Sequence, residues 1–244
     1  MPNVNNEFYN ELHEGWFYRE NHPIALLRQE NQVRNPWIKN ILTQKLGQPL
    51  TVLDIGCGAG LLTSDLAVDH QVYGIDLSEP SILAARSKDP EQKIHYQVAD
   101  AGKLPFEANQ FDAVFAMDLL EHVDHPAAVI NEAARVLKPQ GLFFFHTFNR
   151  NLLSYLIIIK AVEFFVPNTP PRMHCYHQFI KPQELKGMLS QSHLSVQLMQ
   201  GLQPKIFSLG VVDLLWKRKV TQRFQFQINP SLSTGYMGYA IKTG

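Results

Sequence analysis

The sequence predicts an α/β domain in which a parallel sheet carries helices on both faces. Three observations lead there. Strand-like and helix-like stretches alternate from residue 50 to about residue 148, the pattern of βαβ units. Val52-Leu53-Asp54-Ile55 reads as a buried strand that runs into Gly56-Cys57-Gly58-Ala59-Gly60 and then a helix. Glycines there let the backbone bend and approach a ligand, and the free N–H groups of the helix start favour a carboxylate or phosphate. Asp76 stands at the end of the next strand, residues 72–75. An acid about 20 residues past such a turn is placed to bond the ribose hydroxyls of a nucleoside.

At 244 residues the chain suffices for one large α/β domain, residues 1–244, with additions. Lysine plus arginine and aspartate plus glutamate both total 22, so no basic field exists and nucleic acid is not an expected partner. Cys57 and Cys175 give neither a disulfide framework nor zinc spacing. Residues 1–6 lack the basic-then-apolar layout of a signal peptide, and no apolar run is long enough to span a bilayer. A cytoplasmic setting is expected. The sequence is silent on oligomeric state.

The elements follow in order. Residues 7–48 form a helical arm or lid rich in aromatics; residues 25–46 read as helix broken at Asn35-Pro36, because proline suits a helix start better than an interior. Ser78 is placed to cap a helix over residues 79–87. Residues 94–98 form the third strand, ending at Asp100 and Ala101, and residues 111–116 the fourth. If residues 117–123 are helical, Asp118, Glu121 and His122 share one face, as a metal site or a general base. A helix over residues 126–137 stops at Lys138-Pro139-Gln140-Gly141, and residues 142–148, including His146, make the fifth strand. Residues 149–180 break the alternation. Residues 152–166 are apolar nearly all round, so they must bury against the domain as a cap or against lipid. A helix over residues 183–190, a strand over 194–198, a loop-rich stretch over 201–233 and a last strand over 235–242 complete the chain.

The spacing Gly56-x-Gly58-x-Gly60, with Leu61 where a dinucleotide fingerprint wants glycine, resembles the turn of S-adenosylmethionine (SAM)-dependent methyltransferases. That likeness implies a Rossmann-like seven-stranded sheet. It also implies cofactor contacts from Asp54, the three glycines, Asp76 with Leu77, and Asp100 with Ala101, the last acid facing the adenine amino group. A more specific resemblance rests on Met117-Asp118-Leu119-Leu120-Glu121-His122-Val123, Asn149-Arg150-Asn151, the apolar insert, and Phe179-Ile180-Lys181-Pro182-Gln183-Glu184-Leu185. Together these look like the O-methyltransferases of ubiquinone biosynthesis over roughly residues 8–205. The resemblance implies methyl transfer from SAM to a phenolic hydroxyl on a polyprenylated ring. Met117 and Arg34 match cofactor contacts, although the family's Arg-x-Asn-Pro stands here as Arg34-Asn35-Pro36, shifted by one. Asp118, Glu121 and His122 match a magnesium site of glutamate, glutamate and histidine, with Asp118 one methylene shorter. Without a metal, His122 or His146 is the expected base. A lipid-borne substrate implies peripheral contact of the insert with the inner face of a membrane. Two other readings remain open: a SAM-dependent methyltransferase acting on a soluble acid or a carbon atom, and a SAM-binding protein without catalysis.

Overall fold

The computed structural model describes residues 4–244; residues 1–3, part of the N-terminal stretch read above for a leader, lie outside the described residues. Eight strands form one sheet in the order β3-β2-β1-β4-β5-β8-β6-β7. They are β1 Thr51–Ile55, β2 Gln71–Asp76, β3 Ile94–Val98, β4 Phe111–Met117, β5 Leu137–Phe148, β6 Leu194–Pro204, β7 Phe226–Asn229 and β8 Gly235–Lys242. The first five in that order pair in parallel, and β8, β6 and β7 are antiparallel.

The central strands are apolar on both sides because both sheet faces are covered. In β5, Phe143 and Phe145 point to one face and Phe144 to the other, and all three are fully buried. Helices Pro126–Val136 and Pro182–Gln191 cover the first face, and Ile24–Lys45, Leu61–Leu66 and Glu79–Ser87 cover the second. Ser78 caps Glu79–Ser87 as the sequence indicates, its hydroxyl accepting from the Ser81 N–H.

Three expectations are corrected. The sheet has eight strands rather than seven, because β6 continues to Pro204 and offers a free edge that β7 covers. The stretch expected to be loop also contains a helix, Leu209–Lys217, whose Leu214 packs with Phe224 and Phe226. Helix Ile24–Lys45 runs unbroken through Pro36. Pro36 and Gln32 both lie on its exposed face, so the Gln32 carbonyl that Pro36 leaves without a donor can be hydrated.

The insert after β5 is a helical run, Leu152–Ser154, a π-helical Tyr155–Ala161 and Val162–Phe165. Its Ile159 is buried with Phe148 and Phe179, while Leu152, Leu153, Leu156 and Phe164 stay exposed. Among the described residues no helix is long and apolar enough to cross a membrane.

Candidate active site

The strand order reverses between β1 and β4, and ligands of open α/β sheets bind beyond the carboxyl ends of the strands at such a point. A cleft of about 790 Å³ opens there. Asp54, Gly56, Gly58, Asp76, Leu77, Asp100, Ala101, Met117 and Arg34 all line it.

The turn is held by its own chemistry. Gly56 and Gly58 have φ of +74° and +53°, the left-handed region that glycine enters without strain. The Gly58 N–H donates to Asp76 Oδ2 at 2.8 Å, and the Ser78 N–H donates to Asp76 Oδ1 at 2.8 Å. Burial still holds the Asp76 carboxyl above its ordinary pKa. Burial likewise pushes Asp54 up to about 8. Asp100 accepts from the Gly102 N–H at 2.8 Å, so it shapes its own turn as well as lining the cleft. Gly60, expected among the cofactor contacts, is not in the cleft wall. It faces the opposite way, and a Cβ on it would lie 2.3 Å from Tyr96 Oη.

A second, apolar cavity of about 260 Å³ adjoins the first. The insert supplies one wall through Ile157, Ile158, Ala161, Val162 and Phe165. Tyr9, Leu27, Asp118 and His122 line both cavities and mark their junction. Helix Ile24–Lys45 runs along both: Leu27 and Glu30 face the apolar cavity, while Leu27, Asn31 and Arg34 face the cleft. The spacing puts these residues on one helical face.

Residues 117–123 are not a helix. Met117 ends β4, Asp118 has φ +54°, and only Leu120–His122 forms a 3-10 turn. The three donors expected to converge are therefore turned to separate partners. Asp118 Oδ2 accepts from Arg34 Nη1 at 2.5 Å, and Asp118 Oδ1 meets His146 Nδ1. That second contact follows from the pairing of Met117 with His146 across β4 and β5. Glu121 is buried and accepts from Thr147 Oγ1 at 2.8 Å. His122 Nδ1 lies 3.1 Å from Asn6 Oδ1, and Asn6 Nδ2 donates to the His122 carbonyl at 3.1 Å. Glu121 and His146, expected as catalytic groups, line neither cavity; His122 lines both.

The electrostatics differ from group to group. Burial alone would raise the Asp118 carboxyl, but Arg34 and His146 outweigh it and hold the carboxyl well below the usual range. Burial, then the Asp118 charge, raises Glu121. Burial lowers His122 to about 4, and burial with the neighbouring His122 lowers His174 to about 3.

Several site residues lie outside the set that the sequence singled out. Trp16 and Tyr9 line the cleft from the N-terminal arm, stacked at 5.5 Å between ring centroids. Glu30 and His174 line the apolar cavity. Only the aromatic density of the arm hinted at the first pair.

Comparison with known proteins agrees with this geometry. A family model described as a methyltransferase domain matches residues 53–145. The chain is similar to a ubiquinone biosynthesis O-methyltransferase of Hydrogenovibrio crunogenus, 37% identical over 80% of each chain. It is also similar to one of Bordetella bronchiseptica, 38% identical over 71% of this chain and 73% of that one. Among solved structures, a magnesium protoporphyrin IX methyltransferase from Synechocystis PCC 6803, with S-adenosylhomocysteine (SAH) bound, shares the fold at a TM-score of 0.60. It is 18% identical and covers 89% of this chain and 84% of its own. A glycine turn, a strand-end acid and a cleft at the sheet's reversal point thus coincide with relatives across most of the chain, which belongs to the ubiquinone biosynthesis O-methyltransferases and is a SAM-dependent enzyme.

Proposed function

We propose that the chain transfers the methyl group of SAM to a phenolic hydroxyl on a ring carrying a polyprenyl tail. The observation that carries this reading is the meeting of two unlike cavities at Asp118 and His122. One has the acids and glycines suited to an adenosyl group; the other is apolar and of a size for a ring and the first isoprene units.

In this reading Asp76 takes the ribose hydroxyls, and Leu77, Asp100 and Ala101 take the adenine. Asp54 and Arg34 would take the charged amino-acid end, and Met117, beside the junction residues Asp118 and His122, would border the methyl-bearing end. In-line transfer needs alignment and contact more than covalent help, and such positioning supplies several orders of magnitude in rate. The apolar walls exclude water from the sulfonium and from the acceptor oxygen. The exposed apolar side chains of the insert, with Arg150, Lys160 and Arg172 near them in sequence, suit a lipid surface from which the tail enters.

Magnesium on Asp118, Glu121 and His122 does not fit this arrangement. Both oxygens of Asp118 are engaged, one by a guanidinium, and the other two side chains bond to Thr147 and Asn6. No step is routed through a metal. The test is turnover of a short-chain prenylated dihydroxybenzene with SAM, in chelator, followed by mass spectrometry beside a panel of soluble acids. One added methyl on the phenol is expected. Methylation of the soluble acids alone would overturn the reading.

A further inference from the structure

Methyl transfer to a phenol needs a group that removes the hydroxyl proton, since a phenol's reference pKa is about 10. Five titratable side chains line the apolar cavity: Tyr9, Glu30, Asp118, His122 and His174. Burial raises the Tyr9 hydroxyl further above its ordinary range, so it keeps its proton. Asp118 pairs with Arg34 and His146, which hold its carboxyl well below the usual range and make it a weak proton acceptor. His122 has its Nδ1 on Asn6 and its ring beside His174, at 5.3 Å between centroids. His174 packs among the rings of His122, Phe148 and Phe179.

Glu30 differs. It projects from helix Ile24–Lys45 into the cavity wall and is 9% exposed. No hydrogen bond or ion pair joins its carboxylate to another described residue. A carboxylate oxygen of Glu30 lies within 4.8 Å of both the Asp118 and the His146 donor atoms, so it reaches the junction of the two cavities. We infer that Glu30 is the general base that takes the proton from the acceptor hydroxyl. The assignment rests on the reading of the apolar cavity as the acceptor site.

The step balances without another reactant. A lone pair on the phenolic oxygen forms the O–CH₃ bond as the C–S bond breaks. That bonding pair goes to sulfur, and the sulfonium becomes the neutral thioether of SAH. The phenolic proton passes to a Glu30 oxygen, giving the carboxylic acid, which returns it to water after product leaves.

The surroundings suit the role. Burial raises Glu30 to about 7; the Asp118 charge adds to this and Glu121 does so weakly, while His146 and Arg34 oppose it. His122 and His174 face the same cavity and, lowered by burial, bring no positive charge near neutrality. A base near neutrality is half ionised at working pH and still accepts a proton well, whereas the two histidines are weak acceptors. The active form is the carboxylate, so the rate should rise with pH through about 7 and then level.

The test compares Glu30→Gln and Glu30→Asp with the unaltered protein across pH. The acceptors are a prenylated dihydroxybenzene and a nitro-substituted one already ionised at assay pH. Glu30→Gln is expected to lower kcat about 100-fold or more for the first acceptor and to abolish the rise near neutrality. With the ionised acceptor its rate should return to within about threefold of the unaltered protein, because no proton remains to be removed. Glu30→Asp should keep the pH dependence at a reduced rate. SAH affinity, measured by calorimetry, should match in all three proteins. An unchanged rate and pH profile in Glu30→Gln would overturn the assignment. So would equal loss with both acceptors at unchanged SAH affinity, which marks a positioning residue. Failure of the unaltered protein to methylate either phenol would instead overturn the reading of the acceptor site.

Discussion

Asp76→Asn is the sharpest probe of the cleft because it changes charge and leaves shape. Each Asp76 oxygen already accepts one backbone N–H, from Gly58 and from Ser78, both at 2.8 Å. A carboxylate has about four acceptor sites, so one site per oxygen remains for a ribose hydroxyl. Asparagine replaces one oxygen with a donor. One backbone N–H then faces another N–H, and one ribose hydroxyl loses its acceptor. A hydrogen bond to a charged group contributes about 1.5–3 kcal/mol, and a neutral one about 1. Against this, Asp76 is raised by burial, so the neutral amide is spared some cost of desolvating a charge. The net loss is about 2–4 kcal/mol, or roughly 30- to 700-fold in Kd. Calorimetry with SAH and with adenosine should show the same loss for both, since the missing contacts lie on the sugar. A change below about threefold for SAH, with unfolding unaltered, would refute the placement of the ribose. A loss for SAH without one for adenosine would move the contact to the amino-acid end.

Two further outcomes follow from the geometry. Gly60→Ala puts a Cβ 2.3 Å from Tyr96 Oη at φ +81°, in a cluster where Tyr96 Oη also bonds Thr63 Oγ1 at 2.6 Å. Strain and overpacking together should cost about 2–3 kcal/mol, a fall in Tm of roughly 5–10 °C, and an unchanged melt would reject the packing role. Leu153→Asp with Leu156→Asp should abolish flotation on anionic vesicles while sparing SAH affinity. Equal flotation would dismiss the insert as the lipid contact.

The cofactor cleft was legible because its parts are local in sequence. One strand, one turn and the next strand's end bring Gly56, Gly58 and Asp76 together, and the sheet's reversal point does the rest. Gly60 shows where that legibility stops. Its place in the motif was plain, but only the packed structure reveals Tyr96 of β3 behind it. The junction was read wrongly for a related reason. Asp118, Glu121 and His122 share a face only if the backbone is helical, and a left-handed residue straight after β4 breaks that geometry. His146 was noticed, but its contact with Asp118 depends on the β4–β5 register, which the spacing of residues does not fix. Glu30 gave no signal, since one acid on an amphipathic helix reads as solvent-facing until the insert folds over it. β7 did leave a trace: Phe226 and Ile228 alternate with polar residues, the period of a half-buried strand.

Asp118 and Glu30 lie side by side, yet their settings suit opposite tasks. A group that accepts a proton during turnover needs a free lone pair toward substrate and a pKa near the working pH. Asp118 lacks the second, because Arg34 and His146 hold its carboxyl well below the usual range and keep it ionised. In the proposed reading it borders the place of the sulfonium as a carboxylate already paired with the Arg34 guanidinium. Its side chain is one methylene shorter than glutamate and starts from a left-handed backbone, which keeps the carboxylate beside His146. That charge in turn helps to raise Glu30, which has no partner of its own to hold it ionised. Asp118→Asn, which leaves the buried Arg34 guanidinium without its carboxylate, should therefore weaken both SAM and SAH in calorimetry, whereas Glu30→Gln should stop proton transfer and leave both affinities in place.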